Sequence, residues 1–297
     1  YCRETVMAVL ELGPQDKIYY EHEAPSRADA ATFVFVNAIT GDASMWQVEV
    51  GPALRDAGFG TLAYNFRGQA KSGFTPGTPL DEALIVGDLQ RLLADLQVSK
   101  AVLVGLSIGG LYAAKAMLGG SEVSGLVLIN TLRKIGLRLA WINDMALRIM
   151  EVGGAALMRD VMSPQLFGPK WLAANRKDCM VPNPEYPPLA PDTGTFSLLQ
   201  NMSGADWELS YEQIQCPVLA VTGPNDRVFY EPKIVAELLA RMPNATEVIF
   251  PEAGHMLPVE VGPPLAEELS KFAANLSSPD GELHLRVESA RQDQLNK

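Results

Sequence analysis

Three residues in this chain have the types and the surroundings that nucleophilic catalysis requires. Ser107 is the central residue of Gly105-x-Ser107-x-Gly109, and Asp226 and His255 each follow a separate apolar segment further along the chain. A serine hydroxyl is a weak nucleophile near neutral pH, so it needs a base, and the base needs a carboxylate that orients it. The three residues therefore predict a catalytic triad of nucleophile, acid and base.

The residues around Ser107 predict a tight turn from a strand into a helix. Residues 101–104 are a short apolar run typical of a buried strand, and residues 111–117 have the composition of a helix rich in small side chains. Such a turn strains the backbone of its central residue, and Gly105 and Gly109 provide the space that it needs. The helix that follows would favour a developing negative charge at its N-terminus. The alternative is a Gly/Ser turn without a catalytic role.

The rest of the chain alternates strands with helices on both sides of the Ser107 segment. Apolar strand patterns occur at 5–12, 17–23, 32–36, 61–65, 101–104, 125–130, 217–222 and 246–250, and amphipathic helical patterns at 84–96, 232–242 and 264–276. This alternation predicts an α/β fold with a mostly parallel central sheet and helices on both faces. We expect residues 1–131 and 208–276 to form this core.

Residues 132–207 interrupt the alternation with helical patterns and no convincing strand. The segment is too long for an ordinary connection, so we interpret it as a helical cap over the carboxyl edge of the sheet. Its methionine and tryptophan side chains, Trp141 and Met145 among them, are predicted to line an apolar substrate pocket. The alternative is that they form the core of the cap itself. Residues 277–297 are polar and without a pattern, as expected of a tail.

Composition limits the classes of partner and cofactor. The chain has 297 residues and a formal net charge of −11, which argues against nucleic acid and anionic membranes as partners. No apolar run reaches 18 residues and no signal peptide is visible, which favours a cytoplasmic location. The three cysteines and three histidines lack the spacing of metal ligands. We therefore expect no metal and no cofactor.

The motifs as a set resemble the α/β-hydrolase superfamily, in its capped esterase, lactonase and haloperoxidase-like branch. The resemblance covers residues from about 5 to 276. It is carried by the motifs Gly105-x-Ser107-x-Gly109-Gly110, Thr222-Gly223-x-x-Asp226 and Gly254-His255-x-x-x-x-Glu260. Asn37-Ala38 replaces the usual His-Gly of the family, and a similar segment followed by a pair like Met45-Trp46 occurs in enol-lactone hydrolases. The family's Asp-x-Arg-Gly-x-Gly-x-Ser loop is present in altered form at residues 65–72.

The resemblance also implies roles for individual residues. The backbone N–H groups of Ile39 and Ile108 would form the oxyanion hole, and Asn37 and Met256 would contact the substrate beside Trp141 and Met145. Arg67 would form a structural ion pair or, alternatively, contact the substrate.

The function predicted is hydrolysis of a carboxylic ester or lactone through an acyl-serine intermediate. Dehalogenases and epoxide hydrolases of this fold have Asp at the position of Ser107, so the serine points to acyl transfer. The apolar cap residues predict neutral, medium-sized, apolar esters or lactones as substrates. Carbon–carbon bond hydrolysis of vinylogous diketones, cofactor-free perhydrolysis and a non-catalytic ligand receptor on the same fold stay open as alternatives, as does the oligomeric state.

Overall fold

The structure is a computed structural model that describes residues 5–276. The predicted polar tail at 277–297 lies outside the described residues. The strands are β1 (Val6–Glu11), β2 (Lys17–Glu23), β3 (Thr32–Val36), β4 (Gly60–Tyr64), β5 (Ala101–Leu106), β6 (Gly125–Ile129), β7 (Val218–Thr222) and β8 (Ala245–Ile249). They form one sheet in the order β1-β2-β4-β3-β5-β6-β7-β8.

The sheet is parallel except at one end. β2 pairs antiparallel with both β1 and β4, and every other neighbouring pair is parallel. Every residue of β3, β4, β5, β6 and β7 is buried. Parallel strands with both faces covered are uniformly apolar, which is why these segments are recognisable as short continuous apolar runs. The predicted fold class is confirmed.

Helices cover both faces of the sheet. They are α1 (Val50–Asp56), α2 (Glu82–Asp95), α3 (Ile108–Leu118), α4 (Leu137–Leu166), α5 (Pro169–Cys179), α6 (Gly194–Met202), α7 (Pro232–Leu239), α8 (Leu257–Glu260) and α9 (Gly262–Leu276). α2 and α3 contribute Leu89 and Leu111 to the apolar core on one face. α1 and α9 contribute Leu54 and Leu265 to the core on the other.

Three helices, α4 to α6, lie between β6 and β7, and we call residues 132–207 the helical insertion. The periodicity predicts separate helices over 137–150 and 153–162, and α4 (Leu137–Leu166) is indeed divided into two helical stretches by a kink close to that boundary. The kink is at Gly154, whose φ is +58° and whose position has no room for a Cβ atom beside the carbonyl of Pro187. Glycine adopts this conformation without steric cost, so the helix bends here.

The insertion packs against loops that leave the carboxyl ends of the strands. The backbone of Gly194 touches that of Gly68 in the loop after β4. The hydroxyl of Ser197 accepts a hydrogen bond from the N–H of Leu80 and donates one to the carbonyl of Thr78, at 3.1 Å each. These contacts place the insertion at the sheet edge where active sites of open α/β folds are found.

The contact between Gly194 and Gly68 allows a test of this packing. We expect Gly194→Ala to lower the free energy of unfolding by about 1–3 kcal/mol, because the added methyl group overlaps the Gly68 backbone. Urea denaturation measures the change. Gly87→Ala is the matched control, since nothing lies within 4 Å of its Cβ position in α2, and it should stabilise by about 0.5–1 kcal/mol. A Gly194→Ala protein as stable as the parent would contradict the packing described.

Candidate active site

Ser107 occupies the turn between β5 and α3 in a strained backbone conformation. Its φ is +58° and its ψ is −123°, a combination that costs a non-glycine residue about 1–3 kcal/mol. Its N–H donates to the carbonyl of Ile129 at 2.8 Å, and its own carbonyl accepts from Oγ1 of Thr131 at 3.0 Å. The neighbouring strand β6 therefore holds the strained residue in place.

Three glycines make this turn sterically possible. A Cβ atom at Gly105 would overlap the backbone of Gly110, and one at Gly109 would overlap the carbonyl of Val36 in β3. One at Gly110 would overlap the hydroxyl of Thr131. The spacing of glycines around Ser107 thus has a direct physical reason, and it is the reason that the sequence pattern predicts.

His255 and Asp226 form a buried hydrogen-bonded pair. His255 Nδ1 lies 2.6 Å from Asp226 Oδ2, and the two residues are 4% and 2% exposed. Burial raises the pKa of Asp226, but the paired His255 and the N–H of Phe229 outweigh it, and the net pKa lies below its ordinary value. An ionised carboxylate can only accept, so Nδ1 carries the proton and Nε2 is left as the basic nitrogen.

One side chain, Asn130, joins the loops that carry both members of this pair. Its Oδ1 accepts from the N–H of Gly223, in the loop that leads to Asp226, at 2.9 Å. Its Nδ2 donates to the carbonyls of Gly254 and His255 at 2.9 and 3.0 Å. Sequence reasoning missed this role; the one available signal is a polar residue directly after the buried strand β6.

Glu260 fixes the His255 loop from the other side. Its carboxylate accepts from the N–H groups of Gly254 and Met256 and from Gly168 in the helical insertion, at 2.7 to 3.1 Å. Burial raises the pKa of Glu260 although these N–H groups lower it. The motif that contains His255 and Glu260 is thus a loop closed by its own carboxylate.

The hydroxyl of Ser107 is hydrogen-bonded to an arginine. Nη2 of Arg133 donates to Ser107 Oγ at 3.2 Å, and no hydrogen bond joins Ser107 to His255 within residues 5–276. The aromatic ring of Phe229 packs beside the imidazole of His255 with 4.8 Å between the ring centroids. Arg133 was not among the residues that the sequence singled out, because nothing in Thr131-Leu132-Arg133-Lys134 marks it.

The two predicted oxyanion-hole residues flank the turn. Ile108 is the first residue of α3, and Ile39 lies in the loop after β3. Neither backbone N–H donates to another of the described residues. The buried side chain of Gln69 holds the second loop by donating to the carbonyls of Ala38 and Ile39 at 3.0 and 3.1 Å.

Asn37, which was expected to contact substrate, is hydrogen-bonded within the protein. It is completely buried, and its Nδ2 donates to the carbonyl of Tyr64 and to Oε1 of Gln69, while its Oδ1 accepts from Nε1 of Trp46. Both of its N–H bonds are therefore used within the protein. These hydrogen bonds give Asn37 a structural role between β3, β4 and Trp46, and a contact with substrate stays a prediction.

The other three predicted substrate contacts lie at the periphery. Trp141 is 72% exposed and Met145 is 37% exposed, both on α4. This exposure argues against the alternative that they form the core of the insertion. Met256, next to His255, is half-buried and packs on the apolar cluster around Trp46. A part for these three side chains in substrate binding stays a prediction.

Arg67 forms the structural ion pair that was expected of it. Its Nε and Nη2 bind the carboxylate of Asp88 at 2.6 and 2.7 Å, and its Nη1 lies 3.3 Å from Asp16. Both ends of the guanidinium are thus engaged by carboxylates.

Within residues 5–276, no group of three or more His, Cys, Asp or Glu side chains is placed to hold a metal ion. No helix of the described chain has the length and hydropathy needed to cross a membrane.

A serine on a strained strand-to-helix turn, with an Asp–His pair held above the same sheet edge, is the arrangement of an α/β hydrolase. The chain belongs to the alpha/beta hydrolase family, which it matches over residues 33–268.

The relatives found by comparison are distant. The chain is 24% identical over 248 residues to the "Putative carbamate hydrolase RutD" of Caulobacter sp. (strain K31), covering 83% of this chain and 91% of the relative. It is 25% identical over 203 residues to 3-oxoadipate enol-lactonase 2 of Acinetobacter baylyi, covering 68% of this chain and 74% of the relative. The crystal structure of the enol-lactonase from Burkholderia xenovorans LB400 has the same fold, with a TM-score of 0.70 and 22% sequence identity. The match covers 87% of this chain and 97% of the enol-lactonase.

The role of Asn130 is testable without any substrate. We expect Asn130→Gly to lower the free energy of unfolding by about 3 kcal/mol, because three partly buried hydrogen bonds are lost at roughly 1 kcal/mol each. Glycine is chosen because Asn130 has a φ of +44°, which glycine adopts freely. Urea denaturation followed by fluorescence measures the change.

The matched control for this prediction is Asn183→Gly. Asn183 is exposed, has a φ of +51°, and its side chain makes no hydrogen bond within the described residues. This variant should differ from the parent by less than about 0.5 kcal/mol, as surface substitutions usually do. Equal effects of the two substitutions would show that Asn130 does not hold the loops together.

Proposed function

We propose that this protein is a serine hydrolase that cleaves a carboxylic ester or lactone through an acyl-serine intermediate. The observation that carries the proposal is the buried His255–Asp226 pair at the same sheet edge as Ser107, with 2.6 Å between Nδ1 and Oδ2. An ionised Asp226 holds the neutral imidazole in the tautomer whose Nε2 accepts a proton. We assign Ser107 as the nucleophile, His255 as the base and Asp226 as the orienting acid.

The first chemical step is attack of Ser107 Oγ on the substrate carbonyl carbon. Oγ exchanges its contact with Arg133 for one with His255 Nε2, which takes the hydroxyl proton as the C–O bond forms. The carbonyl electron pair moves to oxygen and gives a tetrahedral oxyanion. Hydrogen bonds between nucleophile and base are often long before substrate binds and tighten along the reaction.

We assign stabilisation of the oxyanion to the N–H groups of Ile39 and Ile108. Both are without an acceptor within the described chain, and Ile108 begins α3, whose dipole favours negative charge there. Gln69 keeps the carbonyls of Ala38 and Ile39 turned inward, which fixes the direction of the Ile39 N–H.

The second half of the reaction uses the same residues. The protonated His255 donates its proton to the leaving oxygen, and the C–O bond of the ester or lactone breaks. His255 then takes a proton from water as the water oxygen attacks the acyl-serine carbonyl carbon. It returns that proton to Ser107 Oγ as the acyl C–Oγ bond breaks, which releases the acid and restores the serine. We propose that residues 132–207 act as a cap that limits access of water during these steps, because this insertion contacts the loops after β4 and β8.

The comparisons support hydrolysis in general, and the names of two relatives support a lactone in particular. One curated relative and one solved structure are named enol-lactonases, and another solved structure is a thermophilic esterase from Thermogutta terrifontis. At 25% identity or less, the substrate of a relative is not assigned to this protein. The names indicate which compounds to assay first.

The proposal is tested with Ser107→Ala on a panel of p-nitrophenyl esters and five- and six-membered lactones. We expect kcat/KM to fall by a factor on the order of 10³–10⁶, as removal of a triad member does. The midpoint of thermal unfolding should stay close to that of the parent, which shows that the variant is folded.

The control is Ser121→Ala, a substitution in the loop after α3 whose hydroxyl has no hydrogen-bond partner within residues 5–276. It should retain the parental kcat/KM. A folded Ser107→Ala protein that keeps more than a tenth of the parental rate would refute the assignment. Tight binding without repeated turnover in the parent would favour the ligand receptor.

A further inference from the structure

Arg133 is a buried cation that the hydrolytic mechanism does not use. It lies four residues after the end of β6 and is 6% exposed. Its guanidinium carbon is 4.1 Å from the ring centroid of Phe229 and 4.6 Å from that of Trp207. The two aromatic rings fix the plane of the group and keep water from its faces.

The protein satisfies only part of this guanidinium. Nε donates to the carbonyl of Thr131 at 3.2 Å, and Nη2 donates to the carbonyl of Asn130 at 2.6 Å and to Ser107 Oγ at 3.2 Å. Nη1 donates to no other described residue. No carboxylate oxygen of residues 5–276 lies within the 4.0 Å of an ion pair with Arg133, in contrast to Arg67 with its two carboxylates.

A buried cation without a counterion is unfavourable, since burial removes its hydration and the hydrogen bonds to neutral oxygens replace only part of it. Burial lowers the pKa of Arg133 to about 10, so the group is still charged at neutral pH. The nearest acid that acts on it, Asp226, is committed to His255 and to the N–H groups of Val228 and Phe229. Arg133 therefore places a fixed positive charge beside Ser107, and an anionic ligand would supply the counterion that the protein lacks there.

We propose that Arg133 binds a carboxylate carried by the acyl part of the substrate, so that the protein prefers acidic esters or lactones to neutral ones. This inference rests on the proposed ester or lactone hydrolysis. It names the substrate class of that site.

The distances also limit where the carboxylate sits on the substrate. Nη2 is 3.2 Å from Ser107 Oγ, and a reacting carbonyl carbon lies about 3–3.5 Å from the nucleophile. A carboxylate oxygen lies about 2.7–2.9 Å from a guanidinium nitrogen. These lengths fit an acyl chain in which about two or three bonds separate the carboxylate carbon from the scissile carbonyl carbon, as in a half-ester of a short dicarboxylic acid.

The proposal replaces the expectation of neutral, apolar substrates. That expectation came from the apolar residues of the insertion and from the net charge of −11. Charges spread over the surface are screened beyond about 8 Å at physiological ionic strength, whereas Arg133 is in contact with the nucleophile. The local cation therefore outweighs the global charge.

A purely structural role for Arg133 makes a different prediction. If the guanidinium served only to hold the carbonyls of Asn130 and Thr131, its loss would slow all substrates alike. The carboxylate role instead requires a larger loss on acidic substrates. The comparison of an acid with its neutral isostere separates the two.

The experiment compares monoethyl succinate with ethyl succinamate, which differ only in a carboxylate and an amide. In the parent we expect kcat/KM to be about 10–100-fold higher for the acid, the factor that a hydrogen-bonded charge provides. In Arg133→Met, kcat/KM should fall at least tenfold more for the acid than for the amide. Arg133→Lys should have an intermediate effect, because lysine keeps the positive charge but lacks the paired N–H donors of a guanidinium. Arg138→Met is the control: Arg138 is exposed on α4, and its loss should leave the ratio at the parental value.

Calorimetry provides a readout that does not require turnover. Ser107→Ala should bind monoethyl succinate at least tenfold more tightly than ethyl succinamate, and the double variant with Arg133→Met should lose that difference. Arg133-dependent binding without hydrolysis in the parent would leave the carboxylate site standing and refute the proposed ester hydrolysis. Hydrolysis without preference for the acid, or equal losses on both esters in Arg133→Met, would overturn the carboxylate site.

Discussion

The structure depends on one steric constraint, the left-handed backbone of Ser107 at the end of β5. That conformation exists because Gly105, Gly109 and Gly110 leave no side chain where β3, α3 and Thr131 approach the turn. The constraint fixes the hydroxyl at the sheet edge and starts α3 at Ile108, the residue directly after Ser107. A larger residue at any of the three glycines would force the neighbouring strands or the helix apart.

The loops that complete the site are held by polar side chains rather than by apolar packing. Asn130 joins the Asp226 loop to the His255 loop, Glu260 joins the His255 loop to the insertion, and Gln69 holds the Ile39 loop. Each of these groups is buried or half-buried and makes several hydrogen bonds. Because buried polar groups are costly to leave unpaired, these bonds resist displacement of the loops. The positions of His255, Asp226 and the Ile39 loop are therefore fixed by hydrogen bonds from other parts of the chain.

Much of the fold was predictable because it follows from local patterns. Buried parallel strands are continuous apolar runs, and α2 and α9 show the expected apolar stripe, so the places of these elements along the chain follow from the sequence alone. The order of the strands within the sheet was not predicted. Ser107 could be singled out because it comes directly after the buried strand β5, and Asp226 and His255 because they lie in the loops that follow β7 and β8. The periodicity also predicts the division of α4 (Leu137–Leu166) into two helical stretches, but not the contact between Gly154 and Pro187 at the kink.

The residues that sequence reasoning missed are those whose roles depend on distant contacts. Asn37 and Asn130 are both asparagines that follow a buried strand, and only their partners show which parts of the fold each one joins. Arg133 has no local signature, because its aromatic neighbours Trp207 and Phe229 are more than 70 residues away in the chain. The exposure of Trp141 likewise depends on how the insertion packs.

The central claim is that Ser107 is the one activated hydroxyl of this chain. The most direct measurement is to treat the protein with a fluorophosphonate and locate the adduct by peptide mass spectrometry. The account predicts one adduct per chain, on Ser107, and a sharply lower rate of labelling in His255→Ala, because the hydroxyl is activated by that imidazole. An adduct on another residue, or labelling of Ser107 at the same rate without His255, would contradict it.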